Sequence, residues 1–247
     1  MKNNDTATRL RDNARALFIS NDTIDDLLAW ATPRQIDAVN TMLAREIEHR
    51  EQGKRQRLLR RAKFPVIKSL DGYDYTHVKM PDGYDTDQLT SLEFLDHAQD
   101  LVFYGKTGRG KTHLATALGI KAVEQGRTVR FCQTAELVLQ LGKAKRAGSL
   151  DQILKDLGRA DLIILDEFGY VPFDIDGARL LYQIIAGAYE RRSIIFTTNI
   201  EFGKWGTIFA DDKLAAAIID RIVHHGRLIE FHGPSRRMSQ ALMFNNK

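Results

Sequence analysis

Residues 105–112 are Gly105-Lys106-Thr107-Gly108-Arg109-Gly110-Lys111-Thr112, which fits the pattern G-x-x-x-x-G-K-[ST]. The apolar run 101–104 before them predicts a buried strand, and residues 113–124 after them have the composition of a helix. Glycines let the backbone wrap closely round a polyphosphate, so that the loop N–H groups and the positive end of the helix dipole face the anion. Strand, loop and helix in this order predict a nucleotide-binding fold, in which Lys111 reaches the β- and γ-phosphates and Thr112 ligates Mg²⁺.

Two acidic residues follow a second apolar run. Residues 162–165 predict a buried strand, and Asp166 and Glu167 stand at its carboxyl end, the edge where ligands bind to an open parallel sheet. We expect Asp166 to hold Mg²⁺ together with Thr112, and Glu167 to polarise the water that attacks the γ-phosphate. The alternative for this pair is a capped strand end before a turn.

Further candidates for catalysis are an amide and several arginines. Asn199 follows the apolar strand 193–198 and is placed to orient water or contact the γ-phosphate, although asparagine is also an ordinary turn residue. A cation that neutralises the transition state can come from Arg221, Arg236 or Arg237, among which composition does not choose. For each arginine the alternative is a surface salt bridge.

From Leu101 onward, strand and helix patterns alternate along the chain. This alternation predicts an α/β fold with a parallel sheet covered by helices on both faces. Further strands are expected at 128–132 and 228–232. Helices are expected at 87–97, from Thr134 as cap to about 147, at 176–191 and at 212–223.

The first part of the chain predicts a separate helical module. Thr32-Pro33 is a good helix start, and an apolar stripe at helical spacing follows from Ile36 to Ile47. We therefore expect a small N-terminal helical domain at 1–63, which docks a partner or DNA, and a nucleotide-binding domain at 64–247.

The charge pattern allows contact with nucleic acid. The net charge of +4 and pI near 9.1 lean basic. Cations cluster in two segments, each of which is either a DNA-contacting patch or a solvated helix face or helix end. The candidate DNA-binding residues are Lys54, Arg55, Arg57, Arg60, Arg61, Lys143, Lys145 and Arg146.

Cysteine usage and hydropathy bear on the compartment. The single cysteine, Cys132, excludes an internal disulfide framework and fits a reducing environment. No apolar run approaches the ~18 residues that a membrane span requires. We therefore expect a cytoplasmic protein without a membrane partner.

In order and spacing, several stretches resemble the IstB-type transposition helper ATPases, which are AAA+ proteins related to bacterial replicative helicase loaders. The stretches are 105–115 (GKTGRGKTHLA), 162–172 (LIILDEFGYVP), 189–190 (YE), 197–199 (TTN), 220–224 (DRIVH) and 233–237 (GPSRR). The resemblance runs from about Leu10 to Met243. It implies an AAA+ P-loop αβα sandwich without the usual C-terminal lid.

The resemblance also implies an activity and partners. The protein would be a Mg²⁺-dependent ATPase that self-assembles on double-stranded DNA, with ATP at subunit interfaces, and stimulates a cognate transposase. By position, Asn199 matches the sensor residue, Arg221 the finger that acts on a neighbour's ATP, and Arg237 a nucleotide-contacting arginine; His113 also matches a family position.

Three other functions stay open at this point. A loader of a replicative helicase would keep the same chemistry and change the partner, and the fold cannot separate the two. A DNA-binding adaptor gated by nucleotide would not need both Glu167 and Arg221. A small-molecule kinase is disfavoured by the adjacent acids Asp166 and Glu167.

Overall fold

The computed structural model describes residues 2–209 and 211–239. The chain divides between Arg57 and Leu58 into two compact units. The predicted domain boundary between residues 63 and 64 stays a prediction, and the end of the predicted second domain, 240–247, lies outside the described residues. No helix in the described ranges is both long enough and apolar enough to span a bilayer.

The first unit is helical, as predicted. Its helices are α1 (Lys2–Ala16), α2 (Asn21–Trp30) and the start of α3 (Pro33–Ala62). Their apolar faces meet in a small core that contains Leu10, Ala14, Ile24 and Leu43. The sequence did not predict α1, because its residues are mostly polar and only two of its side chains enter this core.

The described part of the second unit contains a sheet of six strands. They are β1 (Val78–Lys79), β2 (Asp100–Gly105), β3 (Val129–Gln133), β4 (Leu162–Asp166), β5 (Ser193–Thr198) and β6 (Gly226–Phe231). The order in the sheet is β1-β6-β2-β5-β4-β3, and all neighbours are parallel except β1 and β6. The predicted parallel sheet is confirmed, whereas β1 was not predicted.

In the described part of the second unit, eight helices connect or follow these strands. They are α4 (Thr86–Ser91), α5 (Glu93–Asp96), α6 (Lys111–Glu124), α7 (Thr134–Arg146), α8 (Leu150–Leu157), α9 (Ile175–Ala188), α10 (Asp212–His225) and α11 (Arg236–Ser239), with a 3₁₀ turn at Phe202–Thr207. The helical stretch expected at 87–97 is confirmed in most of its length, but Leu92 adopts a left-handed φ of 71° and divides it into α4 and α5.

Alternate strand residues build two cores on opposite faces of the sheet. Val102, Ile163 and Phe196 belong to one core, with α7 to α10. Leu101, Ile164 and Ile195 belong to the other, with α4 to α6. Because successive strand side chains point to opposite faces, this alternation gives the three-layered αβα sandwich that was predicted.

Candidate active site

The loop 105–110 joins β2 to α6 and depends on its glycines. Gly108 has a φ of 84°, and a Cβ there would lie 2.1 Å from Oγ of Ser235. Gly110 has a φ of 97°, and a Cβ there would lie 2.8 Å from the hydroxyl of Tyr73. Both positions therefore need glycine for backbone conformation and for close approach by segments distant in sequence.

Lys111 opens α6 and is buried, with 5% of its surface exposed. Its Nζ donates hydrogen bonds to the carbonyl oxygens of Gly105, over 2.6 Å, and Lys106, over 3.0 Å. Burial lowers the pKa of Lys111 to about 8, although the charge of Asp166 opposes the shift. A desolvated ammonium group under a loop of this kind is suited to a phosphate anion.

Three oxygen-bearing side chains meet beside Lys111. Oγ1 of Thr112 donates to Oδ1 of Asp166 over 2.8 Å, and Oγ1 of Thr197 donates to the same oxygen over 2.5 Å. Burial raises the pKa of Asp166, while these two hydrogen bonds oppose the rise. A hydroxyl and a carboxylate at this distance are hard oxygen donors of the type that Mg²⁺ takes, so the residues fit the predicted metal.

Glu167 follows β4 with a left-handed φ of 55°, which is uncommon for a residue other than glycine. Its backbone N–H donates to Oγ1 of Thr197 over 3.0 Å, and its Oε2 accepts a hydrogen bond from Nε2 of Gln133 over 2.7 Å. A contact from β5 therefore holds the backbone of Glu167 at the carboxyl edge of the sheet, and a contact from β3 orients its carboxylate.

A cavity of about 680 Å³ lies against the loop. Its lining includes the loop residues from Thr107 to Thr112, together with His113, Glu167 and Arg237. Lys106 is exposed in the same loop. The structure thus brings most of the predicted nucleotide-contacting residues and the predicted base to one cavity.

Asn199 and Arg221 are not among the described residues that line this cavity. Asn199 is exposed directly after β5. Arg221 lies on α10, where its guanidinium donates to the carbonyl of Ala217 over 2.8 Å and stacks 5.3 Å from the ring centroid of Tyr182 and 5.9 Å from that of Tyr189.

The segment after β6 packs on the loop. The backbone N–H of Arg236 donates to the carbonyl of Gly108 over 2.9 Å, and its guanidinium lies 4.8 Å from the ring centroid of Tyr73. Arg236 also pairs with Asp74 at 3.4 Å. Arg236 and Arg237 both line the cavity, so the segment after β6 supplies two arginines to its wall.

The candidate DNA-binding residues lie on two helices. Five are on α3, namely Lys54, Arg55, Arg57, Arg60 and Arg61, and three form the last turn of α7, namely Lys143, Lys145 and Arg146. Arg61 pairs with Asp156 at 2.8 Å, and Lys145 pairs with Asp176 at 3.2 Å. The other six are exposed without an ion pair among the described residues.

Sequence reasoning missed the residues that hold the two acids. Thr134 was expected to cap α7, but the cap position is Gln133, and Oγ1 of Thr134 donates to the backbone carbonyl of Asp166 over 2.7 Å. Thr197 was noted only beside Asn199. The sequence shows a hydroxyl residue at the end of an apolar strand. It does not show that this strand lies beside β4, which is what brings Thr197 into contact with Asp166.

Most of the chain is similar to known proteins. A family model described as IstB-like ATP binding protein matches residues 26–243. The chain is 35% identical over 218 residues to the insertion sequence IS232 putative ATP-binding protein of Bacillus thuringiensis, covering 87% of each chain. It is 34% identical over 221 residues to the insertion sequence IS21 putative ATP-binding protein of Pseudomonas aeruginosa, covering 88% of this chain and 83% of that one.

A solved structure supports the fold. The crystal structure of DnaI aligns with a TM-score of 0.53 and 21% identity, over 69% of this chain and 90% of that one. At this identity the likeness concerns the αβα architecture alone, and it confirms the predicted P-loop fold of the second unit.

Proposed function

The chain belongs to the family of IstB-like ATP-binding proteins, and from that membership we propose that it is a Mg²⁺-dependent ATPase that assembles on double-stranded DNA and stimulates a partner transposase. The observation that carries the ATPase assignment is the hydrogen bond from Thr112 to Asp166 beside buried Lys111. The hydroxyl of Thr112, the carboxylate of Asp166 and the ammonium group of Lys111 therefore lie next to a loop whose backbone suits a phosphate group.

The roles follow from position. Lys111 and the loop N–H groups bind the β- and γ-phosphates, and Thr112 and Asp166 hold the metal. Mg²⁺, when bound, supplies charge neutralisation on the phosphate oxygens. Glu167 orients the attacking water and accepts its proton, since its carboxylate is fixed at the rim of the same cavity.

Arg221 acts on the nucleotide of a neighbouring subunit. Its guanidinium is held over two tyrosine rings and is absent from the described lining of its own chain's cavity. In this proposal Arg221 therefore reaches the nucleotide of another copy, and ATP turnover depends on assembly. Asn199 assists in orienting water from the end of β5.

Mixing two inactive variants tests the shared site. Lys111→Ala loses phosphate binding but keeps Arg221, whereas Arg221→Ala keeps the loop but lacks the finger. Each alone should hydrolyse ATP at least about 10³-fold more slowly than the parent, the size expected of an arginine finger. The mixture should recover part of the activity at interfaces where an intact loop meets an intact Arg221.

Two controls belong to this experiment. Arg179→Ala removes an exposed arginine of α9 and should keep parental turnover. Glu167→Gln should bind ATP and assemble but not turn over. A mixture that stays inactive although both variants fold and co-assemble on DNA would refute the shared site, and parental turnover in Glu167→Gln would refute the role of Glu167.

Assembly on DNA is tested by particle size. Light scattering on duplex DNA should show large particles with ATP and not with ADP, and affinity should fall steeply with salt, by about −0.9 in log–log slope for each phosphate contact. Two double variants test the two helices: Lys54→Ala with Arg55→Ala on α3, and Lys143→Ala with Arg146→Ala on α7. A double variant whose helix contacts DNA should show a less negative slope than the parent. A flat salt response would contradict phosphate-led binding.

The loader of a replicative helicase stays an alternative partner assignment. Stimulation of strand transfer by a cognate transposase would favour the first function. Loading of a helicase ring, with no effect on that transposase, would favour the second.

A further inference from the structure

Glu190, His224 and His225 form a cluster outside the nucleotide cavity. Each offers one ligand atom, and these atoms lie within 4.8 Å of one another. Nε2 of His225 is 3.0 Å from Oε1 of Glu190, and the two imidazole rings are 4.6 Å apart between centroids, at 80° to each other. Among the described residues, this is the one group of three or more such side chains with metal-binding spacing.

The fold holds this cluster in place from two elements. The helix α9 ends at Ala188, and Glu190 then adopts a left-handed φ of 55° in the turn that leads to β5. His224 and His225 are the last residues of α10. A helix carboxyl end carries partial negative charge, so this position favours a bound cation.

A further hydrogen bond orients one of the rings. The hydroxyl of Tyr189 lies 2.8 Å from Nδ1 of His224. If this nitrogen carries the proton and donates it to the tyrosine oxygen, Nε2 is left as a free lone pair. Histidines that bind metals usually donate their other ring nitrogen to a partner in this way.

We propose that Glu190, His224 and His225 bind a divalent transition cation of the zinc class. Two imidazoles and one carboxylate are the donor set that zinc and similar borderline metals prefer. Glu190 and His224 are exposed, so water completes the coordination. Mg²⁺ prefers an all-oxygen environment, and this site is therefore chemically distinct from the Thr112 and Asp166 pair.

Neighbouring charges do not cancel the attraction. The guanidinium of Arg221 lies 5.9 Å from the ring centroid of Tyr189, and its positive charge opposes a bound cation. The carboxylate of Asp220, the preceding residue, contributes a negative charge near Tyr189. The principal competitor is the proton, because both histidines must be neutral to bind metal.

Titration of the full chain with Zn²⁺, without nucleotide, tests the site. Calorimetry should detect one equivalent that is lost in His224→Gln and in His225→Gln. Tyr189→Phe keeps all three ligands and should weaken binding by about 10-fold, the lower limit for loss of a partner that orients a metal-binding histidine. His232→Gln is the matched control, since Nε2 of His232 lies 3.6 Å from Glu230 and the described residues place no third metal-binding side chain beside them.

Substitution with Co²⁺ supplies a second readout, because its visible absorption reports nitrogen and oxygen coordination. The band should appear in the parent and in His232→Gln, and circular dichroism should show that all variants are folded. The proposal is overturned if the parent takes up no Zn²⁺ at millimolar concentration. It is equally overturned if the His224→Gln, His225→Gln double variant binds Zn²⁺ as the parent does.

Discussion

Gln133, the last residue of β3, donates a hydrogen bond to Oε2 of Glu167 over 2.7 Å. The carboxylate proposed as the base is thus oriented from a neighbouring strand. A base contributes only when it points at the proton it accepts, and the contribution of such a group is about 10²–10⁴-fold.

Replacing Gln133 with alanine should therefore lower kcat for ATP by about 10-fold, a fraction of that contribution, while KM changes little. Steady-state hydrolysis on duplex DNA measures both parameters. Gln140→Ala is the matched control, because Gln140 is an exposed glutamine on α7 that lines one cavity together with Gln133 and Glu167 but has no hydrogen bond to Glu167 among the described contacts. An equal fall in the two variants would show that the hydrogen bond to Glu167 is not the cause.

Lys111 should make nucleotide affinity depend on pH. Its pKa is lowered to about 8 by burial. A bound phosphate favours the charged form and raises this pKa, so binding takes up a proton above pH 8. Affinity should accordingly be constant below pH 7 and fall by up to about one log unit per pH unit above pH 8.

Fluorescence titration with an ATP analogue between pH 6 and pH 10 checks this dependence. Lys106→Ala, which removes an exposed lysine of the same loop, should keep the parental curve. A curve that stays level to pH 10 would contradict the assignment of the titrating group to Lys111.

Gly108 should be replaceable only when Ser235 changes with it. Gly108→Ala places a Cβ 2.1 Å from Oγ of Ser235 in a backbone with a φ of 84°. We expect it to lower the free energy of unfolding by about 3 kcal/mol, partly by overpacking and partly by backbone strain. In a Ser235→Gly background the overpacking is removed, and about 1 kcal/mol of strain should remain.

Urea unfolding of the parent, Gly108→Ala, Ser235→Gly and the double variant gives the interaction energy between positions 108 and 235. Gly187→Ala is the control, since its Cβ would meet nothing within 4 Å on α9, and it should be neutral or slightly stabilising. Equal losses in both backgrounds would mean that Ser235 is not what Gly108 accommodates.

Asp100 should make stability fall as the pH rises. Burial raises its pKa from 3.8 to about 7, although its Oδ1 accepts a hydrogen bond from the N–H of Ile194. Because the folded pKa lies above the unfolded value, this group's contribution is fully present below about pH 4 and is lost as the pH passes 7. Asp100→Asn keeps the acceptor and cannot ionise.

The stability of Asp100→Asn relative to the parent should therefore rise from pH 5 to pH 8 by about 3 kcal/mol, because roughly two pKa units lie between pH 5 and the folded pKa, at 1.36 kcal/mol each. Urea unfolding of both proteins across this range isolates the one carboxyl. A difference that does not change with pH would show that Asp100 stays ionised or is not buried.

The sequence predicted most of the second unit because its strands are strongly patterned. The runs 101–104 and 162–165 are almost wholly apolar and flanked by glycine or acidic residues, and each became a strand of the sheet. Where local signals were weak the predictions failed. Strand β1 has only two residues, too few for any periodicity, and the break at Leu92 is a conformation that leucine seldom adopts.

The candidate site was predictable to the extent that its residues lie in one motif. The loop and the acids at 166–167 are contiguous stretches with recognisable chemistry. Gln133 and Thr197 carry no such motif, and their roles depend on β3 and β5 lying on either side of β4. Strand order depends on the whole sheet and not on any local pattern, so these partners became visible only in three dimensions.

The sheet order also determines when the site can form during synthesis. Strand β2, which leads into the phosphate loop, lies between β5 and β6, the two strands made last. A ribosome must therefore add residue 231 before β2 has both neighbours, and residue 236 before the loop carbonyl of Gly108 has its partner. A nascent chain released earlier exposes an apolar strand with an open edge, so shortened products of this gene are substrates for aggregation and chaperones.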